Sequence, residues 1–156
     1  MFRLSNQTKI KFMNIYPPFL GAGIRLSYIS KDFRKAVVTM KLRWWNRNLV
    51  GVHFGGSLMS MSDAFYMLLI LQNLGKGYIV WDKASCIQFK KPGKGKVTCV
   101  FEIGDEILER IKQEVEANGK TEIELPLEIT DEEGDVVSAL TKTIYIRKKD
   151  HSPASA

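Results

Sequence analysis

The chain has little cysteine, no long apolar run and no repeat. Only two cysteines, Cys86 and Cys99, occur in 156 residues, both inside strand-like patterns and without metal-ligand spacing. That excludes a disulfide framework and a thiolate metal centre, and predicts two reduced, buried thiols in a cytoplasmic protein. The apolar run around Met67–Leu71 is far short of the roughly 20 residues a membrane helix needs. The opening MFRLSNQTKIKF has no apolar stretch followed by a small-residue cleavage site, which predicts no secretory signal. No internal repeat or linker divides the chain, so one domain is expected over 1–147, with a polar, loosely held tail over 148–156.

What is present is the balance of a soluble globular domain, 45% hydrophobic and 26% charged, with a net charge of +6. Lys and Arg gather at Arg34–Arg47 and Lys90–Lys96, acids at Glu102–Glu116 and Glu122–Asp135. The asymmetry suits a ligand with phosphates as well as nucleic acid, and charge alone suggests a nucleic-acid-binding module as a further alternative. No recognition helix, zinc finger or stacking-aromatic signature accompanies it, so a nucleic-acid partner is not expected.

The chain is organised around Asn48–Leu74. Gly55-Gly56-Ser57 closes a polar loop, with Gly56 or Ser57 expected as helix N-cap. Apolar residues then fall almost all round a helix to Leu74, stopped by Gly75-Lys76-Gly77 and interrupted once by Asp63. A helix apolar on every side must be wrapped by other structure. Thr8–Phe19 reads as a short helix or turn ending at Pro17-Pro18. Strands are expected at Ile24–Ile29 and Lys35–Leu42, with Lys31–Arg34 as the turn between them. A long strand follows at Tyr78–Lys90, with Ile79, Trp81, Lys83, Ser85, Ile87 and Phe89 on one face. Lys91–Gly95 is a turn, and Val97, Cys99, Phe101 and Ile103 alternate as another strand. Asp105–Asn118 is an amphipathic helix closed by Gly119. The strand carrying Ile123, Leu125, Leu127 and Ile129 has an acidic outer face, and Pro126 marks an edge or bulge. A hairpin turn over Asp131–Gly134 leads to the last strand, Val136–Arg147. Six strands joined by short turns imply an α+β fold, a curled antiparallel sheet around one central helix with one surface helix.

The run Asn48-x-x-Gly51, Phe54-Gly55-Gly56, then Asp63 seven residues on, resembles the hotdog-fold thioesterase superfamily. The branch is that of the phenylacetate-type acyl-CoA thioesterases, whose pattern is Asn-x-x-Gly-x-x-His-Gly-Gly followed by Asp. Ile87-x-Phe89-x-x-Pro92-x-x-Gly95 resembles its following strand and turn. Phe54 stands where the family has His, and His53 lies one position early. A one-residue offset redirects the side chain, so altered chemistry or a different acyl preference is implied.

Thioester hydrolysis requires an activated water or a nucleophile, and donors for the oxyanion. Asp63 in an apolar surround would be a more basic carboxylate, able to serve as base or nucleophile. Amides of Gly55, Gly56 and Ser57 would be the oxyanion donors, with Asn48 positioning water or the loop. On a continuous helix Gly56 and Asp63 lie about 10 Å apart at ~1.5 Å per residue. A composite site across a homodimer, alone or paired into a homotetramer, is therefore expected, and the resemblance implies the same. Beside these stand plain structural readings: a satisfied buried Asp63, glycines kept small for packing, Asn48 bonding its own loop, and His53 as a loop residue. His53 and Phe54 would line the substrate site; Arg43, Arg47, Lys90, Lys91, Lys94 and Lys96 would meet the phosphates of coenzyme A. Coenzyme A enters only as part of an acyl-CoA or acyl-carrier substrate, with no separate cofactor or metal. The alternatives are a non-catalytic acyl- or lipid-binding hotdog protein and an acyl-thioester hydratase or dehydratase.

Overall fold

The computed structural model describes Ile10 and residues 12–149. Of the tail expected over 148–156, Lys148 ends the last strand and the Lys149 N–H donates to the Gly77 carbonyl at 2.9 Å; residues 150–156, and the opening residues of the expected N-terminal helix, lie outside the described residues. Six antiparallel strands form one sheet: β1 (Ile24–Ile29), β2 (Lys35–Lys41), β3 (Tyr78–Phe89), β4 (Lys96–Glu102), β5 (Lys120–Thr130) and β6 (Val136–Lys148). Their order is β1-β2-β4-β5-β6-β3. Period-two alternation turns Ala36, Val38 and Met40 of β2, Val97, Cys99 and Phe101 of β4, and Ile123, Leu125, Leu127 and Ile129 of β5 to the buried face. The sheet curves around α2 (Gly55–Met61) and α3 (Phe65–Leu74), while α4 (Asp105–Asn118) packs on β5 through Leu108, Ile111 and Val115. Phe65 of α3 is fully inside, its ring 5.2 Å from that of Phe101 and 5.8 Å from that of Phe19. Truncating such a ring costs about 3–5 kcal/mol. Among the described residues no helix is long and apolar enough to cross a membrane.

The central helix is not continuous. It breaks at Ser62-Asp63-Ala64, where Ala64 adopts φ +67° and ψ −33°. An L-residue with a side chain enters that region at a cost of roughly 1–2 kcal/mol, so the break must be enforced from outside. Its N-terminus also differs from expectation. Phe54, in extended backbone, is the N-cap; the helix starts at Gly55, and Ser57 lies buried in its first turn.

A bulge between Asp82 and Ala84 divides β3. Before it Val80 and Asp82 point inward; beyond it Ser85 and Ile87 do. The six residues expected on one face are therefore split between two, and Cys86 is turned out to solvent while Cys99 stays buried. Pro126 lies on an open seam. β4 and β5 pair only at Thr98–Thr130 and Cys99–Ile129, so the missing N–H of Pro126 deprives no ladder there. Its carbonyl instead accepts the Tyr66 hydroxyl at 2.9 Å, and burial raises that phenol to about 12.

At the N-terminus, Pro17-Pro18 opens α1 (Pro17–Ala22) rather than ending a helix, because proline is pre-set for a first turn. A 3₁₀ turn over Phe12–Ile15 precedes it.

Candidate functional site

The loop 48–53, the start of α2 and the β3–β4 turn enclose a groove of about 420 Å³. Val52, Leu58, Phe89 and Pro92 supply apolar wall; Asn48, His53, Lys90 and Lys91 supply polar groups. The paired glycines have a packing reason. A Cβ on Gly55 would sit 2.9 Å from the Phe89 ring, and one on Gly56 2.4 Å from the Phe54 ring. Small residues let two solvent-exposed aromatics close over the first turn of α2, whose leading N–H groups have no acceptor within the helix.

Asn48 organises its own loop. Its Oδ1 accepts the N–H groups of Val50 and Val52, both at 3.1 Å. His53 is buried, its Nε2 3.1 Å from the Gly95 carbonyl and its backbone N–H donated to Gly93 at 3.0 Å. With Nε2 donating, Nδ1 is a bare acceptor, buried and without a partner among the described residues. Burial holds this imidazole below its ordinary range, against the opposing pull of the Gly95 carbonyl. His53 therefore clamps the 91–95 turn as a neutral ring.

Asp63 does not line this groove. Its side chain is 60% exposed, so the apolar surround expected for it is absent. Neither the Ser60 nor the Ser62 hydroxyl bonds its carboxylate; they donate to the Gly56 and Met59 carbonyls. Its partner is Lys142, whose Nζ lies 3.3 Å from Asp63 Oδ1 and 3.1 Å from Asp82 Oδ1. The Lys142 side chain is only 3% exposed and that of Asp82 19%. Desolvation raises the Asp82 carboxyl, and Lys142 foremost opposes the shift. Sheet and helix thus meet at a charged cluster. The β3 bulge turns Asp82 inward, and Lys142 bridges it to the outward-facing Asp63 at the helix break.

Lys142 and Asp82 were missed from sequence, although a signal existed for Lys142. In β6 it falls in phase with the inward Leu140, Ile144 and Ile146, and a lysine on a core stripe needs a partner. Asp82 was hidden by the bulge.

The basic residues separate. Lys90 donates to Gln88 at 2.7 Å, beside the groove. Lys91 is tied to Asp131 at 2.5 Å and Asp135 at 2.6 Å, which hold its ammonium above the ordinary range, Asp131 foremost. That pairing fixes the turn against the β5–β6 hairpin and accounts for Lys91 structurally. Arg47 and Phe54 border a neighbouring open hollow with Leu49 and Val50. Arg43 and Lys96 belong to a different cleft altogether. Gly56 and Ser57 do not border the main groove.

The family model described as a domain of unknown function, DUF4442, matches residues 5–146. No curated protein matches the sequence. Among solved structures, PA5026 of Pseudomonas aeruginosa, a protein of unknown function named a probable thioesterase, is similar at 19% identity. That alignment covers 95% of this chain and 99% of that one, with a TM-score of 0.80. The thioesterase HI1161 of Haemophilus influenzae is 15% identical over 96% of each chain, TM-score 0.69. The E. coli PaaI protein of the phenylacetic acid degradation operon is 17% identical over 95% of this chain and 97% of its own, TM-score 0.61. At such identities the likeness establishes the fold, and the fold is the hotdog.

Proposed function

This chain belongs to the DUF4442 family, and from that premise, with its hotdog fold, we propose that it hydrolyses the thioester bond of a fatty or aryl acyl-CoA. The observation that carries the reading is the break in the central helix. A non-glycine residue held in left-handed backbone is a strained element, and strain of this kind clusters at functional sites. Here it turns a carboxylate out of an apolar helix and leaves it exposed over a buried ammonium.

Because Asp63 stands outside the groove of its own protomer, the active site is composite. One copy brings Asp63 to the groove of its twofold mate. Asp63 removes a proton from water as the oxygen attacks the thioester carbonyl carbon. The oxyanion that forms is met by the leading N–H of the other copy's α2 at Gly55, which borders the groove, with Gly56 next in the same turn. Collapse breaks the C–S bond, the thiolate takes the proton from Asp63, and a carboxylic acid and free coenzyme A leave. The acyl chain lies along Val52, Leu58, Phe89 and Pro92, Asn48 keeps the loop in place, and Arg47 and Lys90 meet phosphate at the rim.

The test is turnover of a panel of acyl-CoA esters by wild type and Asp63→Asn side by side. Hydrolysis by wild type and a fall of at least about 100-fold in the variant are expected. A panel that wild type leaves intact, or an equally active variant, overturns the reading. A second reading, a non-catalytic acyl-binding protein, is favoured by the Phe54 ring over Gly56 and by the neutral, turned-in His53. Saturable acyl-CoA binding without turnover is its signature.

A further inference from the structure

On the outer face of the sheet, β1, β2 and β4 line up cations. The β2–β4 ladder sets Lys35 opposite Glu102 at one end, an ion pair at 2.5 Å, but Lys41 opposite Lys96 at the other. Arg25 of β1 is in register with Thr39, two residues from Lys41 on the same side of the pleat. Arg43 follows β2, its guanidinium 5.9 Å from the Trp45 ring centroid. These four cations and Trp45 wall a cleft of about 370 Å³ that, among the described residues, no Asp or Glu lines. Among the described residues none of the four makes an ion pair; Glu132, near the rim, accepts the Lys96 backbone N–H at 3.2 Å. One wall is anchored by Asn14, whose side chain pairs with both the N–H and the carbonyl of Leu26, at 2.7 and 3.2 Å.

Like charges placed directly opposite across strands destabilise a sheet. The same two strands pair a lysine with an acid where nothing else intervenes, so the Lys41–Lys96 juxtaposition calls for a counter-charge from outside. Its setting is concave and armed with guanidinium and ammonium donors, which suits the several oxygens of a compact phosphate rather than a flat surface. We propose that this cleft binds a phosphate-bearing small molecule. The site shares no lining residue with the His53 groove and stands whether or not the chain is a hydrolase.

The experiment uses inorganic pyrophosphate, followed by calorimetry and thermal midpoint at physiological ionic strength. Wild type, Lys96→Glu and a control of equal charge change on α4, Lys112→Glu, are compared. Pyrophosphate is expected to bind wild type and raise its midpoint. Lys96→Glu, which sets an acid opposite Lys41, is expected to melt higher than wild type without ligand and to bind at least about tenfold more weakly. Lys112→Glu is expected to change binding by less than about threefold, since screening confines surface charge to about 8 Å. Absence of pyrophosphate binding in wild type, or equal weakening by the two variants, overturns the proposal. Binding to phosphatidylglycerol vesicles without binding of pyrophosphate also overturns it, in favour of a membrane headgroup. Should Lys96→Glu fail to fold, Arg25→Gln takes its place with the same expected loss.

Discussion

Replacing Lys142 by methionine removes one charge and keeps most of the side-chain volume. Nζ lies 3.1 Å from Asp82 Oδ1, a separation worth about 5 kcal/mol of gross attraction at an effective dielectric near 20. The two carboxylates then diverge. Asp63, 60% exposed, is rehydrated and loses on the order of 0–1 kcal/mol. Asp82, 19% exposed, is left as a mostly buried charge, its Oδ1 without a hydrogen-bond partner among the described residues. Removing one member of a buried pair costs about 3–5 kcal/mol, and the partial exposure of Asp82 places Lys142→Met near the lower end, about 3 kcal/mol. For a chain of this size that corresponds to a fall in thermal midpoint of about 6–12 °C. Urea denaturation of Lys142→Met, Asp82→Asn and the double variant measures it. Neutralising Lys142 and Asp82 together leaves only the hydrated Asp63 unpaired and no buried charge, so the double variant is expected to recover most of the loss. The pH dependence carries the same sign. Without the ammonium the folded-state Asp82 carboxyl moves further above its ordinary value of 3.8, so the penalty shrinks as acidification protonates it. A cost under about 0.5 kcal/mol for Lys142→Met, or a double variant no more stable than the single, would refute the cluster as the anchor of the helix break.

Asp63→Asn, judged on stability, is expected to shift unfolding by less than about 0.5 kcal/mol, because the carboxylate is largely hydrated; a large loss in denaturant melts would assign Asp63 a structural role. Ala64→Gly relieves the left-handed backbone and is expected to stabilise by roughly 1 kcal/mol, with destabilisation in the same melts counting against strain at that position. His53 has a folded-state pKa below its ordinary 6.5. The unfolded chain therefore binds more protons in the window beneath 6.5, and stability falls as pH drops through it. A shallower slope in His53→Gln than in wild type, from pH 6.5 to about 5, is the expected difference.

Most of the architecture could be read locally. The alternation of β2, β4 and β5 placed their inward residues, and the stripe of Leu108, Ile111 and Val115 with acids in the first turn and Gly119 beyond delimited α4. Those signals are periods of two and 3.6 residues, imposed by backbone geometry within each element. The spacing around Gly55, Gly56 and Asp63 also led to the hotdog fold. What decided the site was tertiary. The sequence from Leu58 to Leu74 holds neither Gly nor Pro to stop a helix at Asp63; the break falls where the Asp63–Lys142–Asp82 cluster meets the helix, and Asp82 faces inward only because β3 bulges against β6. Likewise Lys41 and Lys96 are 55 residues apart in sequence and acquire meaning only in register across β2 and β4. A carboxylate's solvation and a lysine's counter-charge are properties of what surrounds them in space, and the chain's own order does not encode that neighbourhood one residue at a time.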